Sequence, residues 1–486
     1  MTPRLRGAVA DAFADRLAAV AAAIGIDPGP AEEVEPLAVA LAGWALTDEP
    51  GAAWLAFTAF TGRFPQPREL AALRRELVLV TDPLEAFIGA GRALEHPASG
   101  ALRRLRIVGD RVLADVGHTA STEHNSGIQR VVRRTLPHWD ADAFELVGWT
   151  DDDRGFRALD ESERGRVLEW GRHQPAARTT APDDLVVPWR TVVVLPEVAA
   201  AERCGVLACL AADSGSRVGM IGYDLIPLVS ADLVDARESD RTGHYLGIVA
   251  RADTVAGISA SAAGEFRGYA SMLAAQGLAG PAVVAIPLGE EALPGSTADV
   301  AAGGAPIILC VGSQEPRKNQ VAVLAAARIL HRDGLDFRLV FVGGGSRVDT
   351  APFDRDVAAL QRAGMAVESH RRLADAELAR LYASARFSVM VSLHEGYGIP
   401  VVEALAKGVP VLTSDYGSLA EVAAAGGCLT VDPRDPEAIA AGMRTLLTDD
   451  ALVDRLRREA AARPARSWEQ YATEVWDALV DGREVS

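Results

Sequence analysis

FSVMVSLHEGYGIPVVEALAKGVPVLTS, residues 387–414, holds two short apolar runs with a loop and a helical stretch between them. FSVMVS and VPVLTS are rich in β-branched residues and too short for helices, whereas IPVVEALA repeats apolar residues at helical spacing. Pro400 suits the first position of a helix and Gly408 its carboxyl cap, so the stretch predicts strand, loop, helix, strand. Units of this kind build parallel sheets covered by helices.

The same alternation extends in both directions. RVLADV, TVVVLP, RVGMIGYDLIPL and TVAGIS mark strands in the first half, and IILCVG, RLVFVGG, FSVMVS and VPVLTS mark them in the second. Two such blocks predict an α/β protein with two doubly wound, Rossmann-like domains, at residues 105–295 and 296–466. The seam is expected in LGEEALPGSTADVAAGGAP, residues 288–306, where Gly, Ala and Pro accumulate. Residues 1–104 carry helical periodicity and no strand signal, which predicts an additional all-helical module. Residues 467–486 end in a helix with Trp468, Tyr471, Val475, Trp476 and Leu479 on one face, a pattern expected of a bracing helix.

The totals agree with several domains, because 486 residues exceed what one hydrophobic core usually organises. A net charge of -17 opposes binding to nucleic acid. Cys204, Cys209, Cys310 and Cys428 are too few and too scattered for a disulfide framework, and no His or Cys pairs stand at zinc-ligand spacing. Charged residues Arg4, Arg6, Asp11, Asp15 and Arg16 interrupt the apolar core that a secretory signal needs, so a cytoplasmic location is expected.

Three loops at predicted strand ends could carry chemistry. In EGYGIPVVE, Glu395 on the loop and Glu403 in the helix have seven residues between them, so both could face one crevice. Ligands of doubly wound sheets bind where strand ends meet helix amino termini, and unpaired N–H groups there favour anions. SQEPRKN, residues 313–319, puts Arg317 and Lys318 before a helix starting near Gln320, where a bound diphosphate would offset their unfavourable position. VGGGS, residues 342–346, offers Gly343 and Gly344 for close approach of a nucleotide to the backbone, as Gly312 does at the end of IILCVG.

In the first half, GHTASTEHNSGIQRVVRR predicts a capping box of Ser126 and Gln129 opening a helix with Arg130, Arg133 and Arg134 on one face. That face could meet a phosphate of donor or acceptor, or simply be solvated. His118 and His124 in the preceding loop are candidates for a general base. The acidic triplets Asp140-Ala-Asp142, Asp151-Asp-Asp153 and Asp354-Arg-Asp356 end no convincing strand, so no metal is expected.

Residues 307–433 resemble glycosyltransferase family four in the VGSQEPRKN segment and in SLHEGYGIPVVEALAKGVPVLTSDYGSLAEV. DVGHTASTEHNSGIQRVVR, YDLIPL at 223–228 and GIS at 257–259 look like the bacterial polysaccharide branch of that family. The resemblance implies the GT-B architecture and a retaining, metal-independent hexosyltransferase with a nucleoside diphosphate sugar as co-substrate and no cofactor. It implies that Arg317 and Lys318 hold the diphosphate, Glu395 and residues Gly396, Tyr397 and Gly398 the sugar, and Glu403 the ribose, with Gly127 bordering the phosphate from the opposite domain.

Asp224, Arg130, His118 and His124 are the acceptor-side candidates, although Tyr223 stands where many relatives have a histidine. GDP-mannose is the candidate donor and a glycan or glycolipid the candidate acceptor. Peripheral contact with the inner face of the cell membrane and a protein partner at residues 1–104 are candidate associations. Two other readings remain at this point: a sugar nucleotide 2-epimerase of the same architecture, and a non-catalytic scaffold docking through the helical module.

Overall fold

The computed structural model describes residues 8–27, 34–92, 100–172, 184–290, 304–345, 347–464 and 466–483. Most of the expected seam at 288–306 lies outside them, as does Ser346 of the glycine loop. Five helices come first: α1 (Ala8–Ile24), α2 (Val34–Trp44), α3 (Ala52–Thr61), α4 (Pro67–Leu79) and α5 (Pro83–Arg92).

A nine-stranded sheet follows, from β1 (Leu105–Val108), β2 (Val112–Asp115), β3 (Phe144–Trp149), β4 (Phe156–Ala158), β5 (Leu185–Pro188), β6 (Val192–Leu195), β7 (Arg217–Gly222), β8 (Thr254–Gly257) and β9 (Ala282–Ala285). Its order is β1-β5-β4-β3-β2-β6-β7-β8-β9. The expectation of a parallel sheet needs one correction: β4 runs antiparallel to both β3 and β5. β2, β5 and β6 are buried along their whole length, as strands covered on both faces must be, which is why they read as continuous apolar runs.

One cover of this sheet is the helical module itself. Leu17, Trp54, Phe57 and Phe64 share a single core with Trp149, Phe156, Val193 and Leu207. Phe64 meets Phe156 edge to face at 5.4 Å. Arg16 is buried, and its guanidinium donates to the carbonyls of Ala59 at 2.7 Å and Arg103 at 2.9 Å. The helices α1–α5 are therefore part of the first lobe's packing rather than a satellite.

The connections of the first lobe supply α6 (Gly117–Ser121), α7 (Gly127–Thr135), α8 (Glu161–Leu168), α9 (Ala201–Asp213), α10 (Ile226–Val229), α11 (Ala236–Val249) and α12 (Ala260–Ala275). The second lobe is built on β10 (Ile307–Val311), β11 (Arg338–Val342), β12 (Val367–His370), β13 (Ala385–Met390), β14 (Val411–Ser414) and β15 (Cys428–Val431). Its helices are α13 (Gln320–Arg332), α14 (Arg347–Arg362), α15 (Asp375–Ser384), α16 (Ile399–Ala406), α17 (Gly417–Ala424), α18 (Pro436–Thr448) and α19 (Asp450–Ala461). All neighbouring strands here are parallel, in the order β12-β11-β10-β13-β14-β15.

The last helix, α20 (Trp468–Trp476), returns to the first lobe. Tyr471, Val475 and Leu479 are buried against Val112, Val192 and Ile221. Trp139 donates from Nε1 to the carbonyl of Ala472 at 3.0 Å and stands 5.0 Å from the Trp476 ring. Among the described residues no helix is long and apolar enough to cross a membrane.

Candidate functional site

In a doubly wound sheet the chain leaves adjacent strands in opposite directions at one place, and the loops there part to leave a crevice. In the second lobe this place lies between β10 and β13, because β11 and β12 continue to one side and β14 and β15 to the other. The loop after β10 carries Arg317 and Lys318, and the loop after β13 carries Glu395. The topology thus brings the two sequence segments to one point.

Local bonds fix them there. Leu393 donates its N–H to the carbonyl of Arg317 at 2.8 Å. Asn319, left-handed at φ 54°, donates from Nδ2 to the carbonyls of Val391 at 3.1 Å and Pro433 at 2.7 Å. Between the pinned loops Lys318 Nζ lies 2.5 Å and Arg317 Nη1 3.0 Å from the Glu395 carboxylate. Arg317 also reaches Glu315 at 2.8 Å. Burial alone would push the Glu395 carboxyl up, but Lys318 and Arg317 outweigh it and hold it below its ordinary value.

The first lobe forms the opposite wall. Ser259 donates to the carbonyl of Gly396 at 2.7 Å, and Glu421 takes the N–H groups of Ala260 at 2.8 Å and Ser261 at 2.6 Å at the start of α12. A Cβ on Gly396 would stand 2.7 Å from the Tyr223 carbonyl, so only glycine permits the lobes to meet here. Asp224 lies beside this contact, and burial raises its carboxyl although Arg317 opposes the rise. A cavity of about 490 Å³ opens between Asp224, Asp232, Asp235, Glu238, Glu315 and Arg317.

Two further links cross the cleft. Arg130 on α7 pairs with Glu403 on α16, and Gly127 faces Ile399. Glu403 and Arg130 were expected at ribose and phosphate, whereas here they meet each other. His394 stands between Glu265 on α12, 2.7 Å from Nε2, and Ser230 Oγ, 2.8 Å from Nδ1. The hydrogen bond to Glu265 raises the His394 imidazole above its ordinary value against the pull of burial.

Other candidates take different places. Tyr397 is partly buried in the apolar packing between the lobes, where its hydroxyl donates to Leu288 at 3.2 Å instead of facing the crevice. Gly343 is required by packing, since at φ 156° its Cβ would fall 2.0 Å from the Gly312 carbonyl. Gly344 is exposed, and a Cβ there would stand at ordinary contact distance, 3.6 Å, from the Arg371 carbonyl. Gly398 caps α16 at φ 109°. The three arginines of α7 separate: Arg130 crosses to Glu403, Arg134 is exposed, and Arg133 is buried. Arg133 donates to the carbonyls of His124 at 2.7 Å and Thr122 at 2.9 Å, so it binds the loop rather than a phosphate.

His124 is exposed on that loop, while His118 sits in the short helix α6 with its imidazole lowered by partial burial and Arg203. The triplet Asp151–Asp153 follows β3 after Thr150 alone, which corrects the expectation that no acidic triplet ends a strand. Asp152 pairs with Arg63 and Arg103, and Asp153 with Arg203. Among the described residues no group of three His, Cys, Asp or Glu side chains could hold a metal ion.

Sequence reasoning missed His394, Glu265 and the buried pair Asp115 and Glu197. Glu197, after β6, accepts the N–H groups of His118 at 3.0 Å and Thr119 at 2.7 Å, and Asp115 accepts that of Gly117 at 3.1 Å. Burial, with Asp115 adding to it, pushes the Glu197 carboxyl up to about 7. His394 adjoins Glu395 in the chain and could have been noticed; Glu265 and Glu197 have no local signal, since their partners are distant in sequence.

Comparison with known proteins gives a family match to the second lobe. Residues 298–463 match the family model for glycosyl transferases group 1. The O-antigen chain mannosyltransferase B of Escherichia coli is 31% identical over 172 residues, 35% of this chain and 44% of that protein. A D-inositol 3-phosphate glycosyltransferase of Corynebacterium glutamicum is 31% identical over 174 residues, 34% of this chain and 41% of that protein. The matches thus span less than half the length of these relatives.

Among solved structures, sucrose-phosphate synthase from Thermosynechococcus elongatus superposes with a TM-score of 0.54 at 18% identity, over 75% of this chain and 97% of that one. Anabaena Alr3699/HepE in complex with UDP and glucose gives 0.53 at 12% identity, over 76% and 99%. The chain accordingly has the GT-B fold, and over residues 298–463 it is similar to the group 1 glycosyl transferases.

Proposed function

We propose that this protein is a retaining, metal-independent glycosyltransferase that moves a hexosyl group from a nucleoside diphosphate sugar to a hydroxyl of a glycan or glycolipid. The observation that carries the reading is the cluster of Arg317, Lys318 and Glu395 at the switch point of the second sheet, facing the first lobe. A guanidinium has five N–H donors and an ammonium three, so both cations can keep Glu395 and still bind a diphosphate. Glu395 then orients the cations and lies where a hexose hydroxyl would meet it.

In this mechanism the acceptor hydroxyl attacks the anomeric carbon on the face from which the diphosphate departs. Arg317 and Lys318 neutralise the charge that develops on the leaving phosphate oxygen, a contribution worth ~3–4 kcal/mol of barrier for each contact, or roughly two to three decades of rate. Asp224, on the first lobe beside Arg317, is placed to accept a hydrogen bond from the acceptor. Closure of the lobes along Gly396 excludes water from the reacting atoms.

GDP-mannose is the proposed donor, supported by the similarity to curated mannosyltransferases. A cytoplasmic site of action, peripheral at the inner face of the membrane, fits a glycolipid acceptor. A ligand-observed NMR screen of sugar nucleotides tests the reading. Binding of at least one nucleotide that weakens in Arg317→Ala supports it; no binding, or equal binding by the variant, refutes the site.

A further inference from the structure

The carboxyl ends of the first lobe's strands face the crevice, and their amino ends bound a second concavity on the far side of the sheet. This basin, of about 470 Å³, lies at the starts of β2, β6 and β7 and is lined by Arg111, Arg190 and Arg217 with Asp110, Thr191 and Trp476. The strands between the two places are four residues long in β2 and β6, so about 13 Å of buried sheet separates them.

The chain as a whole carries -17 and repels anions, yet three guanidiniums and a single carboxylate line this basin. Arg111 is exposed and has no side-chain partner among the described residues. Arg190 pairs with Glu49 and lies 5.1 Å from the Trp189 ring, and Arg217 donates to the Val480 carbonyl at 2.6 Å. Each of these two bonds occupies one edge of a planar group with five N–H donors, which leaves the others for a ligand.

Arg190 is held at φ 54°, a left-handed conformation that glycine, asparagine or aspartate adopts more readily in a turn. The turn keeps an arginine there nonetheless. Trp476 supplies an apolar wall, since one part of its ring is fixed against Trp139 and the residue lines the basin.

We infer that this basin binds a phosphate-bearing small molecule at a site separate from the crevice. Guanidinium forks match phosphate oxygens, and the volume fits a small ligand rather than a folded partner. The occupant would bridge Arg190, which holds the segment before α3 through Glu49, and Arg217, which holds the turn after α20 through Val480. Binding therefore stiffens the first lobe against its two covers.

The test is calorimetric titration of the full chain with inorganic phosphate, pyrophosphate and GDP, with tryptophan emission read in parallel. Trp476 lines the basin, so emission reports it; because Trp149, bonded to Asp115, stands at the crevice end of β2, an emission change counts for the basin only where the Arg111 variants remove it. Arg111→Ala and Arg111→Glu are the variants, because among the described residues no hydrogen bond or ion pair depends on that side chain. The expected result is an emission change with pyrophosphate and about a tenfold or greater loss of that binding step in both variants. An equal loss for pyrophosphate and GDP identifies the phosphate groups as the whole determinant; a larger loss for GDP identifies a nucleotide ligand. No emission change, or affinities for all three probes within twofold of the parent in both variants, overturns the inference.

Discussion

Replacing Lys318 by methionine removes a charge from a buried pair while keeping most of the side chain's length. Lys318 and Glu395 are 11% and 7% exposed with 2.5 Å between them, so water screens neither. Breaking such a pair costs ~3–5 kcal/mol, whereas an exposed pair would cost at most ~1 kcal/mol. Arg317 remains on Glu395 at 3.0 Å, which places the expected loss near ~3 kcal/mol.

The acid limb should move as well. A carboxylate held below its ordinary value contributes stability that is present above its unfolded pKa and lost as pH falls through its folded one. Lys318→Met weakens the hold, so the second lobe should begin to lose stability at a higher pH than the parent. Urea denaturation followed by far-UV circular dichroism reads both lobes, and tryptophan emission reports the first lobe because residues 304–464 contain no tryptophan, so the second lobe's transition is the part of the dichroism change that emission does not follow. A double-mutant cycle with Glu395→Gln should give a coupling of about 2 kcal/mol or more. Coupling below ~0.5 kcal/mol would mean that the cluster is not a buried ionic unit and would refute the argument.

For the interlobe pair, Arg130→Ala should change unfolding free energy by less than ~1 kcal/mol, because both partners are about one-third exposed, and the change should shrink in high salt. Gly343→Ala should destabilise the second lobe by more than ~2 kcal/mol, read by thermal denaturation, since its Cβ meets backbone at 2.0 Å; parent-like melting would show that the two strand-end loops yield easily. His394 has a raised imidazole, so its contribution is complete below its unfolded pKa of about 6.5 and lost as pH rises through the higher folded value. His394→Gln should flatten the pH dependence of lobe-to-lobe contact over that range, measured by hydrogen exchange at α12; an unchanged profile would exclude His394 as its source.

How much of this was legible before folding differs from residue to residue. The strand–loop–helix–strand reading of residues 387–414 depends on local periodicity and on Pro400 and Gly408, and the structure follows it with β13, α16 and β14. Arg317, Lys318 and Glu395 were also legible, as polar residues interrupting loops at strand ends. Their mutual contact was not, because it follows from the strand order that sets β10 beside β13 across 73 intervening residues, 312–384.

The sequence by itself determined the strands β2, β6, β7, β8, β10, β11, β13 and β14 and the side chains that stand at their ends, since those depend on neighbours a few positions apart; β1, β3, β4, β5, β9, β12 and β15 carried no segment that the reading named. Tertiary structure alone decided the antiparallel β4, the merging of α1–α5 with the first lobe's core, and the crossing pairs Arg130 with Glu403 and His394 with Glu265. The physical reason is range. Side-chain periodicity records what one element needs to bury, but charge and hydrogen-bond partners are chosen by whichever element packing brings within about 3 Å.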